Sequence, residues 1–245
     1  MGQASLVQAT AMRETARAVD TAQLLRQVSI FADLSPEVLG DLAKRVSHKS
    51  AEAGSVIVSQ EEPGDSLFMI SSGKVKVVLY GETGREIILS ILLAGDFFGE
   101  MSLLDRQPRS ANVVAVEDSQ LLSLDREGFQ THLNAHPTTA LAVLAEMSRR
   151  LRHADEVIGN LALLDVYARV ARTIRDLAQK QGEPVDGGLL IKERPTQQEI
   201  AGLIGTSRET VSRALNDFTR RGLLEMSGKQ ILVRWGFLRK MEDAA

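Results

Sequence analysis

The spacing of apolar positions divides this chain into stretches of different character. From about Ala4 to Ala43 it reads as mainly helical: Leu24, Leu25 and Val28 share one face, and Ser35-Pro36-Glu37 supplies the cap, first-turn proline and acidic residue that open another short helix. The first dozen residues are expected to be partly disordered. From about Ser47 to Leu124 the texture changes to short β-rich runs, SVIVS, SLFMISSGKVKVVLY, EIILSILLAGDFFGE and SANVVAVEDSQLLSL, with glycines such as Gly54, Gly73, Gly95 and Gly99 at their corners. Many short strands at even spacing predict an antiparallel roll or barrel, not a parallel sheet with crossover helices.

A long helical stretch follows, roughly Pro137 to Leu164, in which Leu144, Met147, Leu151, Ala154, Ile158 and Leu161 recur in steps of three and four. So narrow an apolar stripe suits two-stranded pairing between copies of the chain; the plainer alternative is a helix packed on its own core. Asp165 ends the seam. A second helix, Val166 to Gln179, runs into a turn-rich break at Gly182-Glu183-Pro184 and Gly187-Gly188. The resulting organisation is α+β: an N-terminal helical extension over 1–28, a β-roll over 29–136, a dimerisation helix over 137–165 and a C-terminal domain over 166–245.

The C-terminal domain carries the most specific pattern. In TQQEIAGLIGTSRETVSRALNDF, Thr196 is a natural N-cap with Glu199 at the capping-box position, Gly205 permits a tight turn, and Ser207 caps the next helix. Val211, Leu215 and Phe218 form the buried face of that second helix and leave Arg208, Glu209, Ser212 and Arg213 pointing outward. Arginine offers a planar fork to guanine O6 and N7, and glutamate accepts from cytosine N4, so these four are the predicted readers of a major groove. Thr196, Gln197 and Ser207 join them as candidate DNA contacts at the two helix starts. The plain alternative is a solvated row of surface charge. Arg220, Arg221, Lys229 and Arg234 are expected to follow in a β-hairpin, as phosphate contacts or as ordinary surface charge.

Charge agrees with this division. Residues 166 to 245 hold 14 Lys/Arg against 10 Asp/Glu, net +4, whereas the residues before them hold 15 against 22, net −7. A basic module on an acidic body suits a polyanion. The absence of cysteine excludes disulfides, thiolate-bound iron–sulfur clusters and cysteine nucleophiles. Four scattered histidines, His48, His132, His136 and His153, read as solvated or capping groups, so no metal is expected. No apolar run is long enough to span a membrane, and the N-terminus has no signal-peptide pattern, which places the protein in the cytoplasm.

Three motifs, GEMSLLDRQPRSANVVA, GNLALLDV and SRETVSR, together resemble the cyclic-AMP receptor (Crp-Fnr) family of bacterial transcription regulators, from about Ser29 to the C-terminus. The resemblance implies a cyclic-nucleotide-binding β-roll, a dimerising central helix and a C-terminal winged helix-turn-helix. It implies a palindromic double-stranded DNA operator with TGTGA-like half-sites, a homodimer, and RNA polymerase as a partner. It also implies a phosphate-and-sugar cassette, Gly99-Glu100 before the short helix Met101 to Leu104, whose Met101 and Ser102 are further candidate effector contacts, and Pro108-Arg109-Ser110-Ala111 after it. The residue types suit that role: Arg109 and Ser110 supply charge and hydroxyl for a cyclic phosphate, and Glu100 accepts from a ribose hydroxyl. A pairing of Arg109 with Glu100 is the structural alternative.

One departure bears on the ligand. Where the cyclic-AMP receptor offers adjacent hydroxyls to adenine, this chain has Ala154 and Asp155. A carboxylate only accepts, which suits guanine with its adjacent N1–H and N2–H₂ donors. Arg152-His153-Ala154-Asp155 also looks like the Arg-x-x-Asp pattern of cyclic di-GMP sites, although a salt bridge flanking the coiled coil explains it equally well. The expected order is cyclic di-GMP, cyclic AMP, then cyclic GMP, with a constitutive DNA-binding dimer whose roll binds no nucleotide as the alternative. Catalysis is not expected: no nucleophile–base pair, metal cluster or phosphate-cradling Gly-Lys-Ser/Thr loop is present, so a nucleotide hydrolase has no support.

Overall fold

A computed structural model describes residues 19–82 and 84–242, which divide into two compact units. The expected helical and partly disordered segment before residue 19 lies outside the described residues. The first unit comprises the chain up to Leu79 together with Leu89–Leu151, and the second comprises Tyr80–Ile88 and the chain from Arg152 onward.

The first unit opens with helix α1 over 19–27 and α2, Pro36–Ala43, capped by the Ser35 hydroxyl. The strands of the roll are β1 (Ser47–Ala51), β2 (Val56–Val58), β3 (Ser66–Ser72), β4 (Lys74–Tyr80), β5 (Glu86–Leu93), β6 (Phe97–Phe98), β7 (Asn112–Ala115) and β8 (Ser119–Asp125). They form two four-stranded sheets, ordered β1-β8-β3-β6 and β2-β7-β4-β5, and the registered pairings are antiparallel as the spacing predicts.

Strand β3 explains why its sequence is an unbroken apolar run. Successive side chains leave a strand on opposite faces. Leu67 and Met69 enter a core shared with α1, α2 and Phe129, whereas Phe68 and Ile70 enter a second core with Val58, Val75 and Val113. Phe97 and Phe98 of β6 divide the same way, as do Leu122 and Leu121 of β8. A strand buried on both faces cannot alternate with polar residues.

Between β6 and β7 lies the short helix α3, Glu100–Asp105, and after β8 come α4, Arg126–Ala135, and the long α5, Pro137–Leu163. Val143 of α5 is buried in the α1–α2 core and Met147 packs against it, whereas Leu144, Leu151, Ile158 and Leu161 are exposed.

His132 is neither solvated nor a cap. It is 7 % exposed, sits edge-on to Phe31 at 5.4 Å and bonds Thr139 Oγ1 at 3.1 Å across the α4–α5 joint. Burial, helped by His136 and Arg45, pushes its pKa down to about 4. The folded state therefore resists a proton that the unfolded chain accepts near pH 6.5, so stability is full above that pH and falls as pH drops toward 4. Denaturant unfolding at pH 7 and pH 5 should show wild type losing roughly 1–2 kcal/mol more than His132→Gln. Equal losses would remove His132 as the cause.

The second unit contains α6 (Val166–Gln181), β9 (Glu183–Val185), β10 (Gly188–Ile191), α7 (Gln197–Ile204), α8 (Arg208–Arg220), β11 (Leu224–Ser227), β12 (Gln230–Arg234) and α9 (Trp235–Glu242). Val170, Ile174 and Ala178 of α6 recur every four residues and pack on Ile200, Val211, Leu215 and Phe218. Two expectations need correction. The break after α6 is a β-hairpin, and it extends the sheet to the order β11-β12-β10-β9. Arg220 and Arg221 belong to the end of α8, not to a hairpin, and both pair with Asp217, at 2.9 and 2.8 Å.

Candidate effector and nucleic-acid sites

The effector candidates gather around α3. Gly99 precedes it with φ +87°, a conformation that a side chain disfavours, and a Cβ there would lie 2.6 Å from Arg109 Nη1 and 2.9 Å from the Ser66 carbonyl. Arg109 is 7 % exposed and donates to the carbonyls of Gly99 (2.7 Å) and Ser66 (2.8 Å). Its guanidinium lies 6.0 Å from the centroid of Phe68, which stacks on Phe98 at 5.2 Å. Burial pulls the Arg109 pKa below its ordinary value, against the opposing charges of Asp65 and Glu100.

Arg109 does not pair with Glu100, contrary to the structural alternative drawn from sequence. Glu100, only 2 % exposed, accepts instead from Arg150 of α5, Oε1 to Nη1 at 3.1 Å. Arg150 also bonds the Phe97 carbonyl (2.7 Å), lies 4.7 Å from the Phe97 ring centroid and pairs with Glu146 at 3.0 Å. The other carboxylate oxygen of Glu100, Oε2, is buried without a protein partner. Burial raises the Glu100 pKa and the Arg150 charge opposes the rise.

The remaining effector candidates separate. Met101 and Ser110 are exposed, with the Ser110 hydroxyl 3.6 Å from the Met101 sulfur, whereas Ser102 and Ala111 are turned into the interior. Arg152 and Asp155 fall in the second unit, where both are exposed, and among the described residues no ion pair joins them. Sequence reasoning missed Arg150, because α5 was read for its seam and for the Arg152–Asp155 pattern but not for a partner to Glu100. The Glu146–Arg150 spacing of four was the available signal.

The helix-turn-helix follows its sequence signature closely. Thr196 Oγ1 accepts from the Glu199 amide (3.1 Å) and Glu199 Oε2 accepts from the Thr196 amide (2.7 Å), which closes the capping box. Gly205 adopts φ +66° after α7, and the Thr206 amide returns to the Ala201 carbonyl at 3.0 Å, satisfying an end that would otherwise be open. Ser207 caps α8.

Arg208, Glu209 and Arg213 are exposed and Ser207 is too, whereas Ser212 and Gln197 are half-buried. Thr210, which sequence reasoning passed over, joins Ser207 (3.1 Å) to Arg213 (3.2 Å) and so steadies the first turn of α8. The backbone amide and the Ser207 hydroxyl lower the Glu209 pKa, which keeps it an acceptor. Arg234 pairs with Glu225 across β11 and β12, and Lys229 sits at the exposed hairpin turn.

Comparison with known proteins agrees with this arrangement. Residues 48–136 match the family model of a cyclic nucleotide-binding domain and residues 168–241 that of a Crp-like helix-turn-helix domain. The chain is 35 % identical over 211 residues to the CRP-like cAMP-activated global transcriptional regulator of Mycobacterium tuberculosis, covering 86 % of this chain and 94 % of that protein. It is 38 % identical over 181 residues to the cAMP-activated global transcriptional regulator CRP of Escherichia coli, covering 73 % and 85 %. Among solved structures, a CooA variant from Carboxydothermus hydrogenoformans aligns with TM-score 0.74 and 27 % identity over 84 % of this chain and 89 % of that one. The family is made of transcription regulators, not enzymes. The chain belongs to the CRP/FNR family of DNA-binding transcription regulators.

Proposed function

We propose that this protein is a cytoplasmic homodimer that binds a palindromic operator under the control of a cyclic nucleotide held in the β-roll, and that it acts on RNA polymerase bound nearby. The observation that carries the reading is Glu100. A buried carboxylate with one oxygen on Arg150 and the other unpartnered is costly to keep, and a ribose hydroxyl is the donor that would complete it. Gly99 and Arg109 beside it suit a cyclic phosphate, with Arg109 trading its carbonyl contacts for the anion.

Because Arg150 belongs to α5, a ligand at Glu100 acts directly on the helix whose exposed seam pairs with the partner. Coupling is then a population shift between two helix pairings that present α8 differently to successive major grooves. Arg208, Glu209 and Arg213 read base edges, with Ser212 in a lesser role, while Thr196, Gln197 and Ser207 contact backbone phosphates.

For the nucleotide, similarity to relatives named as cAMP-activated supports cyclic AMP as the first reading, ahead of the cyclic di-GMP that Asp155 suggests in the sequence. Asp155, an exposed carboxylate on α5, keeps a guanine ligand, cyclic di-GMP or cyclic GMP, as the second reading. Calorimetric titration of wild type and Asp155→Ala with the three nucleotides separates them. Wild-type affinity should be highest for cyclic AMP and change less than threefold in the variant. Preference for a guanine nucleotide, lost by at least tenfold in Asp155→Ala, would establish the second reading, and no heat with any of them would leave the constitutive dimer.

A further inference from the structure

Two arginines, not one, hold α3. Arg109 takes the Gly99 carbonyl at its start. Arg126, the first residue of α4, takes the carbonyls of Ser102 (3.1 Å) and Leu103 (3.1 Å) at its middle and that of Gly64 at 2.6 Å. Both reach the same loop before β3, because Arg109 also bonds the Ser66 carbonyl and the Arg126 amide bonds the Asp65 carbonyl at 2.8 Å. The Gly64 backbone is pressed so close to Arg109 that a Cβ there would clash with its Nε.

The two clasps differ in what a ligand does to them. An anion bound by Arg109 competes with the carbonyls of Gly99 and Ser66 for the same N–H groups. Arg126 grips the middle of α3, away from Gly99, and its bonds run between carbonyls and the N-terminus of α4, whose other end meets α5 through His132 and Thr139. We infer that Arg126 is a positioning residue which carries a displacement of α3 into α4 and thence α5, and so sets how strongly nucleotide binding changes DNA affinity without itself touching the nucleotide. The inference rests on the effector reading given above.

The test uses the full chain, with cyclic AMP or cyclic di-GMP, whichever gives heat with wild type, and a duplex with TGTGA-like half-sites. Two quantities are read: nucleotide affinity by calorimetry, and the ratio of operator affinities with and without saturating nucleotide. Arg126→Gln should keep nucleotide affinity within about threefold while the ratio falls at least fivefold toward unity, because coupling between sites is separable from binding at either. Arg126→Lys, which retains a charged donor for one carbonyl, should recover part of the ratio and serves as the reading where Arg126→Gln does not fold. A wild-type ratio in either folded variant overturns the inference, as does a loss of nucleotide affinity that accounts for the whole change. If wild type binds neither nucleotide, the effector reading fails and this inference fails with it.

Discussion

Glutamates in the exposed seam of α5, Leu151→Glu with Ile158→Glu, are expected to leave a folded monomer that binds a palindromic duplex at least a hundredfold more weakly than wild type. In the single chain Leu151 and Ile158 are 64 % and 63 % exposed, so neither substitution disturbs a core that the chain builds for itself. In a two-fold pair each change occurs twice. Four apolar side chains worth about 1.5–3 kcal/mol each on burial are replaced by carboxylates that face one another. Loss of the dimer removes the tethering that lets a second α8 bind beside the first, an effect commonly worth about two to four orders of magnitude. Light scattering should show the monomer mass, and fluorescence anisotropy the weakened binding. A dimer of wild-type affinity would mean that α5 does not hold the copies together.

The second large effect is expected at Arg109. Arg109→Gln should lower cyclic-nucleotide affinity at least a hundredfold and reduce the stability of the nucleotide-free protein by about 1–3 kcal/mol. The two losses have separate causes. The ligand loses its charged donor, and the carbonyls of Gly99 and Ser66 lose the guanidinium that satisfies them. Calorimetry reads the first and denaturant unfolding the second. Undiminished nucleotide binding would show that the phosphate is held elsewhere.

What the sequence disclosed, and what it concealed, follow from the range of the interactions involved. The capping box at Thr196, the tight turn at Gly205 and the β character of the run around Leu67 to Ile70 depend on neighbours a few residues apart or on local composition, so they are legible in order along the chain. Gly99, Glu100 and Arg109 were legible because a motif holds them within about a dozen residues. Arg150 is 50 residues from Glu100, and Arg126 is 62 from Gly64. No local spacing announces such pairs; only folding brings them together.

The errors have the same origin. His132 looked like a surface residue because its burial depends on Phe31, a hundred positions earlier. The β9–β10 hairpin was hidden in a Gly- and Pro-rich stretch where β10 is held by pairing with β12 and β9 by pairing with β10, not by their own propensity.

The central claim is that a nucleotide in the roll governs how the paired chains meet DNA. It is tested most directly by titrating a labelled palindromic duplex with the protein, with and without saturating cyclic AMP or cyclic di-GMP. The account predicts an operator affinity that shifts at least tenfold with one nucleotide, and a shift that disappears in Arg109→Gln. Superimposable curves under every condition, with a dimer present throughout, would contradict it.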